Sequence, residues 1–364
     1  MNRLALPRVG RKLPTTTSRA LLAAAVAGVV VLASACGSSS TPAASGPGNQ
    51  TLSIALADKL GDIVSAIAQQ KGYFAQQHVT VNLVAAANNT PTFVTSGQSD
   101  LAEITFVPAL SAAEKGQSTT VIYATNGGAN GSALFAKPGT TLDSIKNNSG
   151  CKIATVAQGT ATYGFAQIYK QTAGLNCQTV TLSNAAAQEA ALASGQVQGF
   201  ITTPQYLGAS LAKSNLQILI DSRKPGDLAK YGGQYVNAPG VGFWGLTSHL
   251  ASKKTAIESF LKAWNKARLD VLNDPNGAVD TLMKTDLFKG DDRSVPQASV
   301  TALRAWLGTL TGNNGFVTSD QWTQFLHQAA SYGLANFNVN DPAFAYQKRV
   351  DMSYYTDALG QPAS

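Results

Sequence analysis

TLSIALADKLGDIVSAIAQQKGYFAQQHVTVNL, residues 51–83, carries two periodicities in sequence. Residues 52–56 form a short apolar run of strand length. Leu60, Ile63, Val64 and Ile67 then fall at i, i+3, i+4 and i+7, which places them on one face of a helix. Gly72 follows and can end that helix in a left-handed conformation. Val79, Val81 and Leu83 alternate with polar residues, as a half-buried strand does. A strand, a helix and a second strand in this order open an alternating α/β pattern.

The same alternation extends outward. Thr90-Pro91 reads as a helix cap followed by a first-turn proline. Residues 100–105 read as a strand, Pro108 opens a helix that Gly116 can close, and 120–125 read as a further strand. The run Asn126-Gly127-Gly128-Ala129-Asn130-Gly131 reads as a crossover. A second α/β series follows, with strands expected at 132–137, 152–156, 178–182 and 199–203. Residues 241–247 read as a strand returning to the first series. From about residue 252 the pattern is helical, with Ile257, Phe260, Leu261 and Trp264 on one face. The expectation is an α/β protein of two lobes with a hinge and a central cleft. The divisions read as 51–127 with 249–364 for the first lobe, and 128–248 for the second.

Length and composition agree. The chain has 364 residues, a prior of roughly two domains at about 150 residues each. Only 13% of residues are charged, too few for a coiled coil. The net charge of +7 is concentrated at one end. Arg3, Arg8, Arg11, Lys12 and Arg19 precede residue 36 and no acid does. Without them 22 basic and 20 acidic side chains remain, a net of +2. A near-neutral body does not provide the basic face that phosphate backbones require, so no nucleic-acid partner is expected.

Residues 20–33, ALLAAAVAGVVVLA, are continuously apolar but too short to span a bilayer comfortably. A basic stretch before a short apolar one reads as a secretory signal, residues 1–35. Ala33-Ser34-Ala35-Cys36 follows and resembles a bacterial lipoprotein signal, which implies lipidation of Cys36. No twin arginine is present, so the general secretory route is expected. Residues 36–50 are rich in Gly, Ser and Pro and read as a flexible tether. The expected location is the extracytoplasmic face of the cell membrane.

Cys151 and Cys177 remain. Each precedes an expected strand by one residue, and a helix lies between the strands. If the strands are parallel neighbours, the two sulfurs start at the same end of the sheet. An oxidising compartment favours a bridge over two buried thiols.

In open α/β sheets ligands sit beyond the carboxyl ends of strands. That rule nominates the loops 57–59, 88–90, 105–107, 158–162, 183–184 and 202–205, and within them Asp58, Lys59, Asn88, Asn89, Phe106, Gln158, Gly159, Thr160, Thr162, Asn184 and Thr203 as ligand-binding residues; Trp244 is added as a candidate aromatic surface. Gln158-Gly159-Thr160-Ala161-Thr162 is the strongest of these, because hydroxyls and a close-approach glycine precede a helix whose free N–H groups favour an anionic or polar group. The same residues also serve as an ordinary helix cap. Lys59 reads as a counter-charge or as a solvated lysine. Phe106 and Trp244 read as stacking surfaces or as core.

Enzyme chemistry has little support. His78, His249 and His327 are far apart, and neither H-E-x-x-H nor C-x-x-C occurs, so no metal and no cofactor are expected. Gly240-Val241-Gly242-Phe243-Trp244-Gly245 matches G-x-G-x-x-G, but it reads as strand rather than as the turn into a helix that a dinucleotide needs. An enzyme on the same fold, such as a relative of thiamine-pyrimidine synthases, is the alternative; the catalytic His and Cys-rich motif of that family are absent.

Three stretches carry a family resemblance. They are Ala68-Gln69-Gln70-Lys71-Gly72-Tyr73-Phe74, Ser96-Gly97-Gln98-Ser99-Asp100-Leu101-Ala102, and Ala191-Leu192-Ala193-Ser194-Gly195-Gln196-Val197-Gln198-Gly199-Phe200. Their order and spacing resemble the solute-binding proteins of ABC importers, in the NMT1/THI5-like group that is similar to sulfonate, taurine, nitrate and thiamine-precursor binders. The resemblance covers roughly residues 51–290. It implies the type 2 periplasmic-binding fold, a small-molecule ligand, an ABC permease with its ATPase as partners, and a monomer.

Overall fold

The computed structural model describes residues 50–57, 62–86, 89–126, 131–158, 160–213, 215–233, 238–307, 315–334 and 337–362. The expected signal, the tether and Cys36 lie outside them. Residues 47–364 form one unit. Among the described residues no helix is long and apolar enough to cross a membrane.

Two five-stranded mixed sheets organise the chain. The first half begins β1 (Gln50–Leu56), α1 (Ile63–Gln70), α2 (Tyr73–Gln76), β2 (Val79–Ala85), α3 (Thr90–Thr95), β3 (Leu101–Thr105), α4 (Val107–Glu114) and β4 (Thr119–Ala124). The second sheet is built from β5 (Ala133–Ala136), α5 (Leu142–Lys146), β6 (Lys152–Thr155), α6 (Ala161–Thr172), β7 (Gln178–Thr181), α7 (Ala185–Ala193) and β8 (Gly199–Thr202). A 3₁₀ turn at Pro204–Leu207, α8 (Gly208–Ala212), β9 (Gln217–Asp221) and α9 (Pro225–Tyr231) complete it. Then come β10 (Val241–Leu246), α10 (Thr247–Ser252), α11 (Lys254–Asn273), α12 (Pro275–Leu282), α13 (Ser294–Leu307), α14 (Ser319–Ser331), α15 (Tyr346–Arg349) and α16 (Ser353–Leu359).

The first sheet runs β2-β1-β3-β10-β4 and the second β7-β6-β8-β5-β9. In the first, β1 is parallel to β2 and β3, while β10 is antiparallel to β3 and β4. In the second, β6 is parallel to β7 and β8, while β5 is antiparallel to β8 and β9. Both inserted strands, β5 and β10, are the first that the chain enters after it crosses between sheets. β10 belongs to the first sheet although its numbers fall within 128–248. The two crossovers are tied together where they leave the first sheet: Thr125 N–H donates to Val241 O at 2.8 Å, and Val241 N–H donates to Asn126 Oδ1 at 2.7 Å.

Alternation decides which face each strand residue covers. Leu134, Ile153, Ile201 and Ile220 pack with α6, while Phe135, Ala154 and Phe200 face the other way. The rings of Phe135 and Phe200 stack at 5.3 Å. In the first lobe, Ile257, Phe260, Leu261 and Trp264 of α11 are fully buried against the sheet. Gly72 adopts φ 71°, the left-handed stop expected after α1.

Cys151 and Cys177 are joined by a disulfide, with Cα atoms 4.7 Å apart. Lys152 pairs with Gln178 in the parallel register of β6 and β7, which sets the two cysteines side by side.

Candidate functional site

Elements of both lobes meet around a chamber of about 150 Å³. The first lobe contributes Ala57, Pro91, Ile104 and Pro108; the second contributes Gln158, Thr160, Thr162, Asn184, Thr202 and Tyr206 among others. Every second-lobe wall comes from the carboxyl end of a parallel strand or the helix that follows, where the topology predicts a ligand.

The local chemistry explains why those residues are there. Thr160 caps α6: its Oγ1 accepts from Tyr163 N–H at 3.3 Å and donates to Ala157 O at 2.7 Å. Thr162, in the first turn, lies 3.4 Å from the hydroxyls of both Thr155 and Thr160. Asn184 caps α7, accepting from Ala187 N–H at 2.9 Å. Two helix N-termini therefore open on one chamber, each adding partial positive charge and free N–H groups. Thr202, the last residue of β8, is only 3% exposed and lines the chamber with its neighbours from α6 and α7.

No described residue lining the chamber is charged. Behind its first-lobe wall lie two buried carboxyl groups. Glu103 precedes Ile104 in β3 and faces the opposite side, where Thr125 Oγ1 donates to its Oε1 at 3.2 Å. Burial, reinforced by nearby Asp62, pushes Glu103 well above the ordinary 4.5. Asp62 accepts from Ser65 N–H at 2.9 Å and from Trp264 Nε1 at 3.0 Å, and burial raises it as well.

The residues nominated from sequence separate into groups. Gln158, Thr160, Thr162 and Asn184 line the chamber. Asp58, Lys59, Asn88 and Gly159 lie outside the described residues. Asn89 is exposed at the start of α3 and does not line the chamber.

Three residues are corrected. Phe106 and Trp244 have no exposed surface and belong to the first-lobe core. Phe106 packs against Trp322 and Phe325 of α14 at 6.2 and 5.7 Å, so its ring is unavailable for stacking on a ligand. Thr203, which follows β8 and precedes the 3₁₀ turn, is buried off the chamber, and Thr202 of the same nominated loop lines it instead.

Sequence reasoning missed Pro91, Ile104, Pro108 and Tyr206 as walls. The two prolines were legible as helix starts, and only the packing of the lobes turns them toward a ligand. A hollow of about 550 Å³ near Gln69, Leu83 and Leu287 is larger, but the first lobe alone lines it. Among the described residues no group of three or more His, Cys, Asp or Glu could hold a metal.

Known proteins share this architecture. The ligand-binding component of an ABC-type import system from Staphylococcus aureus, with zinc bound, superposes with TM-score 0.64 at 15% identity, covering 86% of this chain and 100% of that one. The alkanesulfonate-binding protein SsuA from Xanthomonas axonopodis pv. citri bound to MOPS gives 0.62 at 16%, covering 82% and 99%. The periplasmic nitrate-binding protein NrtA from Synechocystis PCC 6803 gives 0.62 at 12%, covering 86% and 88%. At these identities the likeness establishes the fold, the two-lobed α/β type 2 periplasmic-binding fold. No curated protein sequence matches the chain. The profile described as NMT1/THI5 like matches residues 63–278, more than half of the sequence. The chain belongs to the NMT1/THI5-like family.

Proposed function

We propose that this protein is an extracytoplasmic solute-binding protein, anchored to the membrane by a lipid on Cys36, that captures a small polar solute and delivers it to an ABC import permease and its ATPase. It works as a monomer and catalyses no reaction. The solute is sulfonate-, taurine-, nitrate- or pyrimidine-like. The observation that carries the reading is the interlobe chamber, where two capped helix N-termini and Thr202 converge from one lobe on apolar walls from the other. Hinge closure around a ligand is a recurrent use of two such lobes.

The test is a thermal-shift titration with methanesulfonate, taurine, nitrate and a hydroxymethylpyrimidine. A solute at 100 times its Kd stabilises the fold by about 2.7 kcal/mol. At least one class raises the melting temperature. Thr202→Val, nearly the same volume without the hydroxyl, weakens that solute about fivefold, the worth of one hydrogen bond. Absence of any shift overturns the binding reading, and turnover of a pyrimidine precursor replaces it with the enzyme. Cys36→Ala moves the protein from the membrane to the soluble fraction; identical partitioning of both forms removes the lipid anchor.

A further inference from the structure

The chamber is small. At about 30 Å³ per water molecule, its 150 Å³ holds about five waters. It falls below the range of about 300–1,000 Å³ usual for ligand pockets. It is also open at one side. A second hollow, of about 540 Å³, shares Pro91, Pro108 and Gln158 with it. This outer groove runs between α3 and α4, with Thr92 and Thr95 on one bank and Ser111 and Lys115 on the other.

The neck and the roof are both defined. Pro91 and Pro108 open their helices and carry no N–H group, so the neck offers no backbone donor there. Gly333 and Leu334, just after α14, cover the groove near Gln158. Leu334 is held against the second lobe at Gly164, where a Cβ would lie only 2.8 Å from its Cδ1. From Pro108 to Lys115 the helix axis advances about 10 Å. Along that length the banks carry hydroxyls, and the far end carries the ammonium group of Lys115, the only charged residue that lines the groove among those described.

We propose that chamber and groove form one site, and that the solute is linear, with an oxyanion head at the helix N-termini and a second anionic group at Lys115, about 10 Å along α4 from the neck. This rests on the solute-binding reading above and adds a tail to it. The neck passes the connecting chain between the two prolines. Lys115 sets the preference for an acidic tail end through a solvent-facing charge, so its contribution is modest and falls with salt.

The experiment compares three probes by calorimetry at low and high salt: propanesulfonate, octanesulfonate and octane-1,8-disulfonate. Propanesulfonate fills the chamber alone. The disulfonate binds at least tenfold more tightly than propanesulfonate, and about two- to fivefold more tightly than octanesulfonate at low salt. Lys115→Gln erases the difference between octanesulfonate and the disulfonate while leaving propanesulfonate unchanged; Lys115→Arg keeps it. Lys115 is exposed at the end of α4 and its side chain makes no hydrogen bond or ion pair among the described residues, so both variants fold. If propanesulfonate binds and the longer probes bind no better, the tail is overturned and the chamber stands. If the disulfonate advantage survives in Lys115→Gln, the assignment of its far end is overturned. If none of the three binds, the oxyanion head fails and the proposal fails with it.

Discussion

Glu103 shows how a single residue ties stability to pH. It is 6% exposed, it accepts a hydrogen bond from the hydroxyl of Thr125, and Asp62 stands nearby with a carboxyl group raised in the same direction. Unfolded, Glu103 releases its proton near 4.5; folded, it holds it to well above that value. Above the unfolded value the native state therefore binds more protons than the unfolded state, so stability is full below 4.5 and falls as pH rises toward the folded value. The slope approaches about 1.4 kcal/mol per pH unit for one group. Glu103→Gln keeps an acceptor for Thr125 and removes the ionisation. It should raise the melting temperature at neutral pH, leave it nearly unchanged in acid, and flatten the decline between them. An unaltered decline in the variant would sink the argument. At this scale sequence reading was weakest. Phe106 at a strand end looks the same whether it meets a ligand or a core. What decides is Trp322 and Phe325, more than 200 positions away on α14, and local pattern carries nothing about that contact.

The elements were far more legible, because their causes are local. The apolar spacing of α1 and α11, the cap at Thr160 and the alternation in β2 are each written within a few residues. The antiparallel insertion of β5 and β10 was not legible, since register across sheets depends on partners distant in sequence. The disulfide falls between these cases: each cysteine is placed by its own strand, and the parallel pairing of β6 with β7 brings them together. It closes a loop with a sequence separation of 26. In the chain-entropy account a loop of that length restrains the unfolded state by about 3.5 kcal/mol. The bridge sits before the amino ends of β6 and β7, whereas the chamber lies beyond their carboxyl ends at Gln158 and Asn184. Reduction should therefore lower the melting temperature by several degrees and leave solute affinity within about twofold. Equal losses of stability and affinity on reduction would show that the bridge supports the chamber directly.

Across the whole molecule the two lobes are joined by more than the crossovers. Helix α13 lies beyond the family match and buries Val300, Leu303 and Trp306 in the first-lobe core. It also packs against α8 and the 3₁₀ turn of the second lobe. The approach is close because position 208 is glycine: a Cβ there would lie 2.2 Å from Ser299 Oγ and 2.7 Å from Val295 O. The second contact is with backbone, which cannot swing aside, so Gly208→Ala must push α13 away from α8. Overpacking of this kind costs about 1–3 kcal/mol. The chamber takes Ile104 and Pro108 from one lobe and Thr160 and Thr202 from the other, so a wedge between the lobes also separates its walls. Gly208→Ala should then weaken solute binding and enlarge the radius of gyration in solution scattering. Gly226→Ala is the matched control: a Cβ there meets nothing within 4 Å, and the site lies in α9 away from the chamber. Alanine's better helix propensity makes that change neutral or stabilising, by up to about 1 kcal/mol. If Gly208→Ala loses stability while scattering and affinity stay at the control's values, α13 holds the fold without setting the distance between the lobes.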